Sequence, residues 1–247
     1  MNLMYLENEF IKLKNSRLWL VLLLTSFIIP VGVSLIWYFK VAPTSKLTVD
    51  AQCLEFYSGL YNFLGFFLQV ICIYIPAAIF QIENKANSWK QIFIQPANTN
   101  NHYFLKVLIS LILLVIFIVM INTFIFIFGG ILFHTVLTIP FTTIILLNTC
   151  IIITAFSIVI IHTFLNIIIK NNLLSIIIGF SGIIISMMLK PGKYTYFWPY
   201  SAVRLIIYSD WGKGYLSTPA IYGLINAIIF SVVFFILGML FFKKVLR

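Results

Sequence analysis

The chain has 247 residues, 62% of them hydrophobic and 9% charged, with a mean hydropathy of +1.09. Soluble domains carry about a quarter of their residues as charges. Too few are present here to cover a water-facing surface, which excludes a soluble globular domain and points to a polytopic membrane protein. The net charge of +10 fits Lys and Arg gathered at helix ends, where they set orientation and meet anionic headgroups. No basic face with interleaved aromatics is present, so nucleic acid is not an expected partner.

Residues 1–17 read as a short amphipathic helix. Leu3, Leu6, Phe10 and Leu13 recur at spacings of three and four, with Glu7, Lys14 and Arg17 elsewhere on the wheel. Such a helix lies in the membrane interface rather than crossing it. The apolar run that follows is long and no small-residue cleavage site succeeds it, so a cleavable signal peptide is not expected. The first span covers 18–39, with Trp19, Trp37 and Tyr38 near its ends and Pro30 inside it. A polar loop, 40–55, leads to a second span at 56–82 that contains Pro76.

The longest patterned polar interval follows at 83–104, E-N-K-A-N-S-W-K-Q-I-F-I-Q-P-A-N-T-N-N-H-Y-F. Ser88, Trp89, Ile92 and Phe93 suggest an amphipathic turn, which Pro96 stops. The remaining spans are read at 105–133, 141–169, 173–189 and 220–242, with a second long polar segment, 190–219, before the last. The fold expected is all-α and polytopic: six transmembrane helices forming one membrane domain over 1–247, with an interfacial N-terminal helix at 1–17.

Six spans put both termini on one side. With the N-terminus inside, Lys12, Lys14, Arg17, Lys85, Lys90, Lys106, Lys170, Lys243, Lys244 and Arg247 face the cytoplasm. Lys40, Lys46, Lys190, Lys193, Arg204 and Lys213 then face outward. A bias of ten to six favours cytoplasmic termini and places 83–104 in the cytoplasm.

The chain offers little chemistry of its own. Gly192-Lys193 and Gly212-Lys213 lack the upstream glycine of a phosphate-binding loop, so any ATP and Mg²⁺ belong on another chain. Cys53, Cys72 and Cys150 form no disulfide or metal pattern. No Asp, Glu, Lys or Arg falls in the middle of a span, which argues against an ion-coupled carrier. His162 and Asn166 share a helix face and read first as interhelical hydrogen-bonding groups. Their H-x-x-x-N spacing is similar to one motif of glutamate-type intramembrane proteases. That family also needs adjacent glutamates, and none are adjacent here, so no general base is at hand.

The pattern at 83–104 carries a more useful resemblance. An acid after the second span (Glu83), then Ser88-Trp89-Lys90, then Pro96 and a lysine at the next span (Lys106) resemble the permease subunits of type-two ABC exporters. The Glu9-x-x-Lys12 segment and Phe197-Trp198-Pro199-Tyr200-Ser201 before the last span fit as well. Within that superfamily the chain is most similar to the small permeases of lantibiotic-immunity transporters.

The resemblance implies a cytoplasmic ABC ATPase as partner and a second similar permease, or a second copy of this chain, completing the pore in a bacterial plasma membrane. It implies export of an amphipathic antimicrobial peptide and no cofactor in this chain. It makes Glu83, Trp89, Lys90, Pro96, Glu9 and Lys12 candidates for coupling to the ATPase. The alternatives are an intramembrane enzyme and a non-transporting scaffold. The outer basic residues fit a cationic peptide poorly and anionic headgroups well.

Overall fold

The computed structural model describes residues 3–14, 16–41, 48–85, 99–133, 141–169, 171–190, 192–209 and 216–245. The elements in order are α1 (Leu3–Lys14), α2 (Leu18–Ile36) running into a π-helical turn (Trp37–Val41), α3 (Val49–Lys85), α4 (Thr99–Phe133), α5 (Phe141–Ile168), α6 (Asn172–Met188), the short α7 (Lys193–Phe197) and α8 (Ser201–Ile207), and α9 (Thr218–Val245). Among the described residues there is no strand. That is the expected outcome for long apolar segments, whose backbone groups must be satisfied within the segment in hydrocarbon.

Among the described residues five helices, α2, α3, α4, α5 and α9, are long and apolar enough to cross a membrane. The sixth apolar helix, α6, has 17 residues, a rise of about 25 Å against a hydrocarbon core of about 30 Å. Conversely, α3 has 37 residues and α4 has 35, so each exceeds about 50 Å and projects past the hydrocarbon. The expected polar loop at 40–55 therefore ends early, because Val49–Glu55 already forms the first turns of α3. Pro76 lies inside α3 and Pro30 inside α2, and both helices continue through them.

The centre of the bundle is α3, which packs against α2, α4, α5, α6 and α8, while α5 also supports α9. The principal core joins Leu60, Leu64 and Leu68 of α3 to Leu113 and Phe117 of α4 and Ile151, Ala155 and Ile158 of α5. A smaller cluster of Phe80, Tyr103, Val107, Ile160, Ile167 and Phe242 closes one end. Polar side chains bridge helices inside the core. The Tyr61 hydroxyl donates to Asn122 Oδ1 at 2.9 Å, and Asn122 Nδ2 donates to Asn148 Oδ1 at 2.9 Å, linking α3, α4 and α5.

Residues 192–209, read from the sequence as part of a long polar segment, are not a plain surface loop. Their helices α7 and α8 enter the bundle, with Thr195, Ser201, Ala202, Val203 and Ile206 buried. Irregular backbone at this depth is tolerated because protein covers it. Trp198 Nε1 donates to Gly182 O at 2.9 Å and fixes the entry against α6.

Close approach at α6 requires a missing side chain. A Cβ at Gly182 would lie 2.6 Å from the Tyr200 ring, whereas one at Gly130 would meet nothing within 4 Å. Gly182→Ala should therefore cost about 1–3 kcal/mol by overpacking. Gly130→Ala should be neutral or stabilising by up to about 1 kcal/mol through helix propensity. Thermal unfolding of the two purified variants checks the contrast.

Candidate functional site

The ends of three helices meet around Lys106. The residue lies in the second turn of α4, Glu83 lies at the last turn of α3, and Glu9 and Lys12 lie on α1. Glu9 is four residues before the buried Leu13, so docking of the apolar stripe of α1 carries the carboxylate inward with it. Lys106 pairs with both Glu9 and Glu83, Lys12 pairs with Glu9, and Lys12 Nζ stands 4.0 Å from Glu83 Oε1. The relative exposure is 2% for Lys106, 2% for Glu83 and 9% for Glu9. Two carboxylates and two ammonium groups balance in formal charge, with Glu9, Glu83 and Lys106 buried and the Lys12 side chain 41% exposed at the edge of the cluster.

The electrostatics favour ionised Glu9. Burial pushes its carboxyl upward, but the Lys106 charge and hydrogen bonds from Lys106 and Lys12 outweigh burial and hold it below its ordinary value.

Three of the six sequence candidates, Glu9, Lys12 and Glu83, thus share one cluster. Trp89, Lys90 and Pro96 lie outside the described residues, as does the turn read at 88–93. Lys106 was expected to be a basic residue flanking a span. Instead it is the hub of the cluster, because α4 begins earlier, at Thr99, and carries position 106 into the bundle. The resemblance pointed to Glu9, Lys12 and Glu83 one by one, but only packing shows that they converge on Lys106. Beside the cluster, Asn84 Nδ2 donates to Asn172 Oδ1 at 3.2 Å and Asn172 Nδ2 donates to Ala77 O at 3.3 Å, tying the start of α6 to α3.

His162 and Asn166 occupy a separate, buried place on α5. His162 Nε2 is 2.9 Å from the Tyr200 hydroxyl and Nδ1 is 3.4 Å from Ser175 Oγ, so the ring bridges α5, α6 and the turn before α8. Asn166 Nδ2 donates to His162 O at 2.7 Å. The His162 bonds cross between helices, as expected from the sequence, whereas the Asn166 bond stays within α5. The partner on the re-entrant segment, Tyr200, was legible only as part of an aromatic run.

Removing Lys106 alone leaves two buried carboxylates facing each other. Lys106→Met should destabilise the protein by about 3–5 kcal/mol, and adding Glu9→Gln and Glu83→Gln should recover most of that loss. Thermal melts of the single and triple variants in detergent check the order.

The lowered Glu9 value also sets a pH dependence. Its contribution is complete above the ordinary carboxylate value of 4.5 and disappears as pH falls through the lower folded value. Wild-type stability should therefore drop on acidification below 4.5, and Glu9→Gln should flatten that part of the profile in melts taken across pH.

Comparison with known proteins adds one match. Residues 5–186 fit the family model described as ABC-2 family transporter protein. No curated protein and no solved structure compared with the chain matches it. The matched segment takes in α1 to α5 and nearly all of α6, the ion cluster included. Multiple apolar helices and a match over most of the chain identify a multi-pass membrane protein, the permease component of an ABC transporter: the chain belongs to the ABC-2 transporter family.

Proposed function

We propose that the chain is a permease subunit of an ATP-driven exporter that lifts an amphipathic, lantibiotic-type peptide out of a bacterial plasma membrane and so protects the producing cell. The family supports a permease working with an ABC ATPase. The peptide assignment rests on the resemblance of Glu83, Ser88-Trp89-Lys90, Pro96 and Lys106, together with Phe197–Ser201, to immunity permeases. Six spans with cytoplasmic termini, and a second permease or second copy completing the pore, belong to the same reading.

The observation that carries the mechanism is the cluster of Glu9, Lys12, Glu83 and Lys106. It joins the interfacial helix to both helices that bound the segment 83–104. The bias of basic residues supports a cytoplasmic position for this end. The ATPase, holding ATP and Mg²⁺, presses on Trp89, Lys90 and Pro96. The cluster passes that displacement to α1, α3 and α4 together, because ion pairs between packed helices shift as a unit rather than bend. Glu83 is buried and does not touch the ATPase in this scheme. Its role, like those of Glu9 and Lys12, is to transmit.

Trp89→Ala and Glu83→Ala should each leave the protein in the membrane while separating ATP hydrolysis from protection. In a reconstituted complex, ATPase activity should persist, and peptide sensitivity of cells carrying the variant should rise toward that of a deletion strain. Full protection by both variants at normal abundance would refute the coupling roles.

A further inference from the structure

At the opposite end of the bundle from the ion cluster, α6, α7, α8 and the start of α9 enclose a cavity of about 590 Å³. Its lining combines the apolar Met187, Met188, Leu205 and Pro219 with Lys190 and Arg204. All of its lining residues follow residue 186, so the cavity falls outside the segment that matches the family.

The walls are fixed by hydrogen bonds. Arg204 Nη2 donates to Leu189 O at 3.2 Å, which holds the guanidinium at the rim and leaves its other N–H groups for a ligand. Thr195 Oγ1 donates to Lys190 O at 2.6 Å and pins the backbone that carries the lysine. Asn226 Nδ2 donates to Tyr196 O at 2.8 Å, and the Tyr196 ring stacks on Tyr222 at 5.5 Å. Among the described residues neither Lys190 nor Arg204 has a carboxylate partner. Asp210 falls in the segment outside them.

The surroundings mark a membrane boundary. Tyr194, Phe197 and Tyr208 are exposed around the cavity, as aromatic residues are at headgroup level. Exposed Ile184 on α6 and Ile221 and Ile225 on α9 continue the apolar surface from its two walls toward the bilayer interior. The ligand that fits is therefore an anion on an apolar body.

We propose that this cavity binds the phosphate of an anionic phospholipid, held by Arg204 and Lys190, with its acyl chains lying along α6 and α9. Arg supplies the forked donors that match phosphate geometry and Lys the second positive charge. A cationic peptide is repelled by the same pair, which gives this end a function separate from cargo recognition.

The test is native mass spectrometry of the purified full chain titrated with phosphatidylglycerol or phosphatidylcholine, with inorganic phosphate as competitor. Wild type should retain phosphatidylglycerol with about tenfold preference. The preference should fall in Lys190→Gln, which leaves the Arg204–Leu189 bond intact, and vanish in Lys190→Gln/Arg204→Gln. It should persist in Lys14→Gln/Arg17→Gln at the other end. Equal retention of the two lipids by wild type, or a preference that survives both cavity variants, would overturn the site. Full displacement of the lipid by inorganic phosphate would overturn the lipid and leave a free-phosphate site.

Discussion

Lys106 lies where water hardly reaches, and Glu9 and Glu83 pair with it from two other helices. An isolated buried charge of this kind costs several kcal/mol, so the three elements are constrained to arrive together. The helix α1 cannot leave without removing one of the two carboxylates at Lys106, and α3 and α4 cannot separate without breaking the Glu83–Lys106 pair. An apolar seam would allow graded sliding. A quartet of charges favours a small number of arrangements, which is the property a mechanical linkage needs.

The rest of the bundle is organised to leave that end distinct. The main core on α3, α4 and α5 is apolar and close-packed, with the Tyr61–Asn122–Asn148 bridge as a polar tie between them. The aromatic cluster around Tyr103 and Phe242 seals α9 to α4 close to the ion cluster. At the other end, α7 and α8 fold inward, and Tyr200 reaches His162 across α6, where Gly179 and Gly182 leave room. The two ends thus differ in kind: one is a cluster of paired charges, the other a boundary whose Lys190 and Arg204 have no carboxylate partner among the described residues.

Much of this was legible in the sequence. Apolar runs of span length located α2, α4, α5 and α9 to within a few residues at most ends, and Glu83, Glu9 and Lys12 stood out through the resemblance to type-two ABC permeases. Three things were not legible. The early start of α3 at Val49 was hidden because Asp50, Gln52 and Glu55 read as a loop, although a helix that projects from the bilayer carries polar residues freely. The role of Lys106 depends on which way its helix turns once it begins at Thr99, and hydropathy does not encode that. The re-entrant α7 and α8 were masked by Pro, Gly and Tyr content that signals a surface loop. Burial of Thr195 and Ser201 is a tertiary outcome, with each hydroxyl satisfied by a nearby carbonyl.

The central claim is that the ATPase acts at the end of the bundle that carries the ion cluster. A photo-reactive residue placed at Gln91, within the segment between α3 and α4, tests it in inside-out membrane vesicles containing the assembled transporter, with the same residue at exposed Tyr194 as the comparison. The account predicts a covalent adduct with the ATPase from position 91 and none from position 194. An adduct from 194 alone would contradict it.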